Sequence, residues 1–201
     1  MSWLPTSYKV PRGEGQFMKL EEGVNRFRIM SKPILGFEWW EKTSDGRKPH
    51  RTQNYDIALQ ESADQEVDGK IKHFWAFAVW NYQAKRIQTL LITQSTIMLP
   101  IENLVKDEDW GSPTNYDLVI TKQGNGLDTE YTVQPKPAKE PPKEAVEAYK
   151  RSNINLEQLF VGGLPISKRD NTEDEEIDEE MESDKMMAEE KVDEINDTVP
   201  F

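Results

Sequence analysis

The stretch His73-Phe-Trp-Ala-Phe-Ala-Val-Trp-Asn-Tyr82, followed after Gln83-Ala84-Lys85 by Arg86-Ile-Gln-Thr-Leu-Leu-Ile-Thr93, decides the fold. Nearly every residue of the first run is aromatic, β-branched or small, the pattern of a strand occupied on both faces. Two such runs joined by three polar residues predict a β-hairpin. Phe74, Trp75, Phe77, Trp80 and Tyr82 put five rings in ten residues, more than the inside of a small barrel needs from one strand. Successive side chains point to opposite faces. Trp75 and Phe77 therefore share one side and Phe74, Trp80 and Tyr82 the other, and the sequence does not say which side faces out. The surplus rings have two readings: a second apolar layer packed over the sheet, or a stacking surface for unpaired bases.

Working outward, the 201 residues suit one domain with appendages, at roughly 100–200 residues per domain. There is no cysteine and there are only two histidines, His50 and His73. Disulfides, thiolate chemistry, a cysteine-held zinc and a histidine-built metal or triad site are all disfavoured. The expectation is no metal and no cofactor. Met-Ser-Trp-Leu-Pro-Thr-Ser-Tyr8 has neither a basic start nor an apolar core, so it does not read as a signal peptide. No run reaches the ~20 apolar residues of a membrane span. A soluble cytosolic chain is expected.

The net charge of −12 is unevenly spread. Residues 1–169 hold 23 Lys and Arg against 22 Asp and Glu, a balance of +1, and residues 170–201 hold 2 against 15, a balance of −13. The acidity belongs to the last 32 residues. An acidic isoelectric point therefore does not exclude a polyanionic partner for the remainder.

Residues 1–16 read as a loose arm. Val24-Asn-Arg-Phe-Arg-Ile-Met30 alternates, with Phe27 and Ile29 inward and Arg26 and Arg28 outward. Ile34 to Glu41 is a second strand, in which the neighbours Trp39 and Trp40 cannot share a face. Asp45-Gly46 marks a turn before Arg47-Lys-Pro-His-Arg51, the densest basic cluster, read as a loop between barrel strands. Asn54 to Leu59 is a weak strand or half-buried loop. A short helix around Thr96–Leu104 follows the hairpin, with Ser95 as N-cap and Pro100 within it. Tyr116 to Thr121 and Thr129 to Val133 are strands joined at Gly124-Asn-Gly126. Five or six strands with one helix between the third and fourth suit a small Greek-key barrel of the OB type.

Beyond Val133 the chain becomes Pro-rich. Pro142 to Arg151 predicts a helix with proline in its first turn. Asn155 to Val161 predicts one or two further turns, capped by Asn155, stopped at Gly162-Gly163 and docked on the barrel through Leu156, Leu159 and Phe160. The expected organisation is an arm (1–16), an OB-fold domain (17–134), a Pro-rich linker with a helical extension (135–166) and a disordered acidic tail (167–201). The tail finishes in Asp197-Thr-Val-Pro-Phe201. A ring beside a carboxylate there is a compact ligand for an apolar pocket rimmed by Lys or Arg.

That ending resembles the acidic tips of bacterial single-stranded DNA-binding proteins, which finish in Pro-Phe. The body resembles the single-stranded DNA-binding proteins of tailed bacteriophages. The resemblance is carried by Phe17-Met-Lys-Leu-Glu-Glu-Gly23, Phe27-Arg-Ile-Met-Ser-Lys-Pro33, Phe74 to Tyr82, Ile87-Gln88 with Thr93-Gln94, Trp110-Gly111, Tyr116-Asp-Leu118 with Glu130-Tyr131, and Leu156-Glu-Gln-Leu-Phe160. It implies an OB fold that coats single strands in phage replication, recombination and repair, inside the infected bacterial cell. Some phage members hold a structural zinc through cysteines and histidine. This chain has no cysteine, so residues 42–70 need another source of stability.

Binding of single strands without sequence choice requires cations that follow phosphates and rings that stack bases. The candidate cations are Arg26, Arg28, Arg47, Lys48, Arg51, Lys85 and Arg86, and the candidate rings are Trp39 or Trp40, Tyr55, Trp75, Trp80 and Tyr82. Asp197, Val199, Pro200 and Phe201 are the candidate residues for recruiting replication, recombination and repair proteins. No Walker loop, His-Glu-x-x-His or serine elbow occurs, so an enzyme and a small-molecule substrate are not expected. An RNA-binding OB module, or an acidic protein that mimics DNA, are the rival readings.

Overall fold

The computed structural model describes residues 15–167 apart from Asn125. The acidic segment and its Asp197, Val199, Pro200 and Phe201 lie outside the described residues. Seven strands form the main sheet: β1 (Gly23–Ile29), β2 (Ile34–Thr43), β3 (Gly46–Thr52), β4 (Lys72–Asn81), β5 (Arg86–Ile92), β6 (Asp117–Gln123) and β7 (Glu130–Pro135). The expected hairpin is β4–β5, with Trp80 opposite Ile87 and Trp75 opposite Ile92. On its other edge β4 pairs with β2 through its first half and with β1 through its second. β1 and β2 thus act as one long strand, interrupted between Met30 and Pro33. β1 also pairs with β6, and β6 with β7. Helix α2 (Ser95–Lys106) lies between β5 and β6 in the chain. This is the five-strand order of an OB barrel, with residues 43–71 inserted in its first loop.

Alternation fills the barrel. Phe27, Ile29, Phe77, Val79, Leu90 and Ile92 point inward and meet Leu118 and Ile120 from β6, while α2 adds Ile97, Met98 and Ile101. Trp75 and Phe77 therefore belong to the inner side of β4. The outer edge of β5 is not left bare. Phe17 bridges to Thr89, the Thr89 amide donates to the Gln16 carbonyl at 2.7 Å, and Met18 enters the core. The chain thus joins the barrel from Gly15 onward, where Gln88 Nε2 donates to the Gly15 carbonyl at 2.7 Å.

Two elements differ from expectation. Arg47–Arg51 is not a loop but part of β3, an edge strand without a buried residue, paired with β2 from Thr43–Gly46 to Phe37–Thr52. Asn54–Leu59 is neither strand nor loop but opens helix α1 (Tyr55–Ser62), whose N-cap Asn54 accepts from the Asp56 amide at 2.8 Å. Only Ala58 of this helix is buried. The α2 N-cap is Gln94 rather than Ser95, and it makes no side-chain capping bond.

Beyond β7 the chain forms the expected helix and short helical turn, with Pro142 at the N-cap of the helix and not in its first turn. Helix α3 (Lys143–Arg151) is followed by a 3-10 turn (Leu156–Val161). Asn155 caps that turn by accepting from the Glu157 amide, and Gly162 ends it at φ 73°. Two short strands, β8 (Asn153–Ile154) and β9 (Ile166–Ser167), pair around it.

Candidate nucleic-acid interface

The insertion forms an arm: β2 and β3 continue beyond the barrel, backed by α1 and by residues 66–68, which bond along the free edge of β2. Cross-strand partners share a face, so the register sorts the arm's side chains into two sets. On one face lie Trp39 and His50, Glu41 and Lys48, and Phe37. This face is covered around Trp39. Trp39 has no solvent exposure, stacks on His50 with centroids 5.3 Å apart, and donates from Nε1 to Gln65 Oε1 at 2.7 Å. Ala58 is also fully buried, and Tyr55 contacts Phe37 at 5.2 Å. This packing, with ion pairs Lys42–Glu66 and Arg47–Asp68, is what holds residues 42–70 together without cysteines.

The other face is open at Trp40, Lys42 and Arg47, while Glu38 is buried and the Arg51 side chain is 12% exposed. Glu38 and Arg51, Trp40 and Pro49, and Lys42 and Arg47 lie on it. Trp40 is 37% exposed, and its Nε1 donates to Glu38 Oε1 at 3.2 Å. Glu38 also takes Arg51 Nε at 2.8 Å, so one carboxylate positions both the ring and the cation. Arg47 remains largely exposed beside Asp68 at 2.8 Å, and Lys42 half-exposed beside Glu66 at 3.1 Å. Of the Trp39/Trp40 pair, Trp39 is core and Trp40 is the ring available to a ligand. Lys48 is exposed on the opposite face, as is Tyr55.

The outer face of the barrel accounts for the remaining rings. Trp80, Ala78 and Ile87 are covered by Ala145, Ala148 and Tyr149 of α3. Phe74 and Ala76 are covered by Leu159 and Phe160 of the 3-10 turn, with Phe74 and Phe160 centroids 6.0 Å apart. Gly36 makes room for this contact, because a Cβ there would sit 2.7–2.9 Å from the Thr52 carbonyl and both rings. Trp80, a candidate stacking ring in the sequence, is thus core: the surplus aromatics serve a second apolar layer.

Arg26, Arg28 and Tyr82 converge on one carboxylate. Asp117 is fully buried; Arg28 Nε donates to its Oδ1 at 2.7 Å, Tyr82 Oη to Oδ1 at 3.0 Å and Arg26 Nε to Oδ2 at 2.9 Å. Lys139 stands 3.3 Å away. Arg28 is not the outward cation that strand alternation predicts. It is sealed, and its Nη1 donates to the carbonyls of Thr114 and Lys139, tying the Pro-rich segment to β1. Arg26 lies over the Tyr82 ring at 4.5 Å, which occupies a face that a base would need. Burial alone would raise the Asp117 carboxyl, yet hydrogen bonds from Arg26, Arg28 and Tyr82 outweigh it and hold the group below its ordinary value. Burial, then the bond to Asp117, pushes the Tyr82 phenol up to about 12.

Three candidates remain. Trp75 is half-buried in an apolar groove of about 310 Å³ with Leu35 and Val105, and its Nε1 donates to His73 Nε2 at 3.1 Å. Lys85 is exposed at the β4–β5 turn with φ 50°, and Arg86 is half-buried at the start of β5. Neither adjoins the open face of the arm in the pairing register, which places them at the opposite end of β4. The structure therefore gathers Trp40, Arg47 and Arg51 on one surface and leaves the other candidates apart. Lys42 and Phe160 belong beside that surface and were missed. Cross-strand pairing places the first, and a strand register cannot be read from one strand; the second carries in the sequence only the signal of a residue docked on the barrel.

No family model matches the chain. It is similar to the probable ssDNA-binding protein of Escherichia phage T5, 22% identical over 141 residues that cover 59% of this chain and 54% of that protein. The chain thus spans about half the length of this relative.

Proposed function

We propose that the chain is a non-enzymatic single-stranded DNA-binding protein, which coats and protects exposed strands during phage DNA replication, recombination and repair in the cytoplasm of an infected bacterium. The observation that carries the reading is the open face of the arm: an exposed indole, Trp40, beside the exposed cations Lys42 and Arg47 on a two-stranded ribbon, with Arg51 paired to Glu38 next to it. An OB fold uses the loop after its first strand for such contacts. Rings that stack bases and cations that follow phosphates need no base-specific partner. The name of the phage T5 relative supports the same reading.

In this reading the acidic segment 170–201 has two roles. As a tethered polyanion it competes with DNA for the arm at high effective concentration. Its Asp197, Val199, Pro200 and Phe201 recruit partner enzymes as an apolar hook at the end of an acidic sequence. Deleting Phe201 then abolishes capture of host or phage replication proteins while leaving DNA affinity unchanged.

The direct test is tryptophan fluorescence during titration with oligo-dT at two salt concentrations, alongside duplex DNA. Quenching by the single strand, weakened by salt and absent with duplex, is expected. It should be largely lost in Trp40→Ala. Equal response to duplex would sink the proposal.

A further inference from the structure

Beside the open face of the arm, a cavity of about 540 Å³ lies between β3, α1 and the 3-10 turn of the C-terminal extension. That volume is within the range of small-molecule sites. Its lining is mixed: Ile57, Phe160 and Val161 form an apolar part, with Ile57 42% and Val161 76% exposed and Phe160 half-buried, and Thr52, Gln53 and Asn54 add polar groups. Its charge is of the wrong sign for a phosphate. Arg51 lines it but is already matched by Glu38, with Nη2 and Oε2 2.7 Å apart. Glu61 and Glu157 stand at the rim without a basic partner among the described residues. Gln53 Nε2 holds Glu157 Oε2 at 3.1 Å, which fixes that carboxylate and leaves its other oxygen free to accept.

A nucleotide meeting this surface is divided by it. Phosphates are drawn to Lys42 and Arg47 on the arm, while the cavity repels them and offers a flat apolar body a place to lie. What the two carboxylates reward is an N–H donor on the edge of that body. Carboxylates accept from the exocyclic amine of cytosine, whereas the one edge donor of thymine, N3–H, lies between two carbonyl oxygens that a pair of carboxylates repels. Single-stranded bases expose these edges once unstacked. From this geometry, and resting on the single-strand reading above, we infer that the cavity takes one base of the bound strand and favours bases carrying an exocyclic amine over thymine. The extension is then part of the binding site as well as a cover for the barrel.

The test compares affinities for oligo-dC and oligo-dT of equal length, in the wild type and in the full-length double variant E61M/E157M. Methionine keeps the chain length and removes both acceptors. Both glutamates are exposed, so the variant should fold, which a thermal melt checks. The wild type should prefer oligo-dC by about 5-fold or more, and the ratio should fall toward one in the variant. Binding of both strands with a ratio that the variant leaves unchanged overturns the base cavity alone. Failure of the wild type to bind either strand overturns the single-strand reading beneath it.

Discussion

Arg28 and Asp117 are both sealed from solvent and joined at 2.7 Å; removing the Asp117 charge leaves Arg28 buried with carbonyl partners alone, whereas removing Arg28 leaves Asp117 its contacts with Arg26 and Lys139. Leaving a buried charge without its counter-ion costs about 3–5 kcal/mol, so Asp117→Asn should lower the urea midpoint accordingly and Arg28→Met should lower it by less. The same cluster sets a pH dependence with two limbs. The folded Asp117 carboxyl lies below its ordinary value. Its stabilisation is therefore complete above the unfolded value of about 3.9 and fades as pH falls through the folded one. Tyr82 has the opposite sign. Its phenol, pushed up to about 12, stays protonated where the unfolded phenol ionises. That contribution is complete below about pH 10 and is lost as pH rises through the folded value. Thermal melts against pH should show the alkaline fall reduced in Tyr82→Phe and the acid fall reduced in Asp117→Asn. Curves parallel to wild type would show that the cluster does not titrate this way. At Trp40 the expectation concerns binding: Trp40→Ala should weaken oligo-dT by about 1–3 kcal/mol, the usual worth of one stack. Trp80→Ala should instead cost about 3–5 kcal/mol of stability and leave the affinity of the folded fraction intact.

The extension and the arm show why some elements could be read in the sequence and others could not. α3, the Asn155 cap and the stop at Gly162 announce themselves through local chemistry: a proline just before the helix, which stands at its N-cap and not in its first turn, an Asx cap and a glycine at positive φ. The β4–β5 hairpin does so through its apolar runs. β3 carries no such signal, because an edge strand that buries nothing needs no alternating apolar residues. α1 buries Ala58 alone, so its helical period leaves almost no trace in its polarity. The face of β4 was undecidable for a different reason. Both sides are covered, one by the barrel and one by the extension, so neither parity is polar. The cover is close-packed at Gly36. Gly36→Ala should push Phe160 and Phe74 apart and cost about 1–3 kcal/mol, the usual range for overpacking. Limited proteolysis should then cut the extension sooner than in wild type. An unchanged melt and cleavage pattern would mean that the 3-10 turn is only loosely seated.

Across the whole chain, charge sets how DNA affinity should respond to salt and to the acidic segment. Residues 38–72, which contain the arm, hold six Lys and Arg against eight Asp and Glu, a balance of −2. The arm is thus no broad basic field, and Arg47 and Lys42 must exchange Asp68 and Glu66 for phosphates. Three to five phosphate contacts give a log–log salt slope of about −2 to −3.5, at roughly 0.7 per contact. With the arm's cations already paired, the shallow end is the better expectation. The segment 170–201 carries −13 against +1 for residues 1–169. If it competes for the same cations, deleting it should tighten oligo-dT binding, most at low salt, where its local field is least screened. The gain should shrink as salt rises, so the truncated protein should show the steeper slope. Equal affinities for the full-length and truncated proteins at every salt concentration would remove the competition role. They would leave recruitment as the proposed role of the acidic segment.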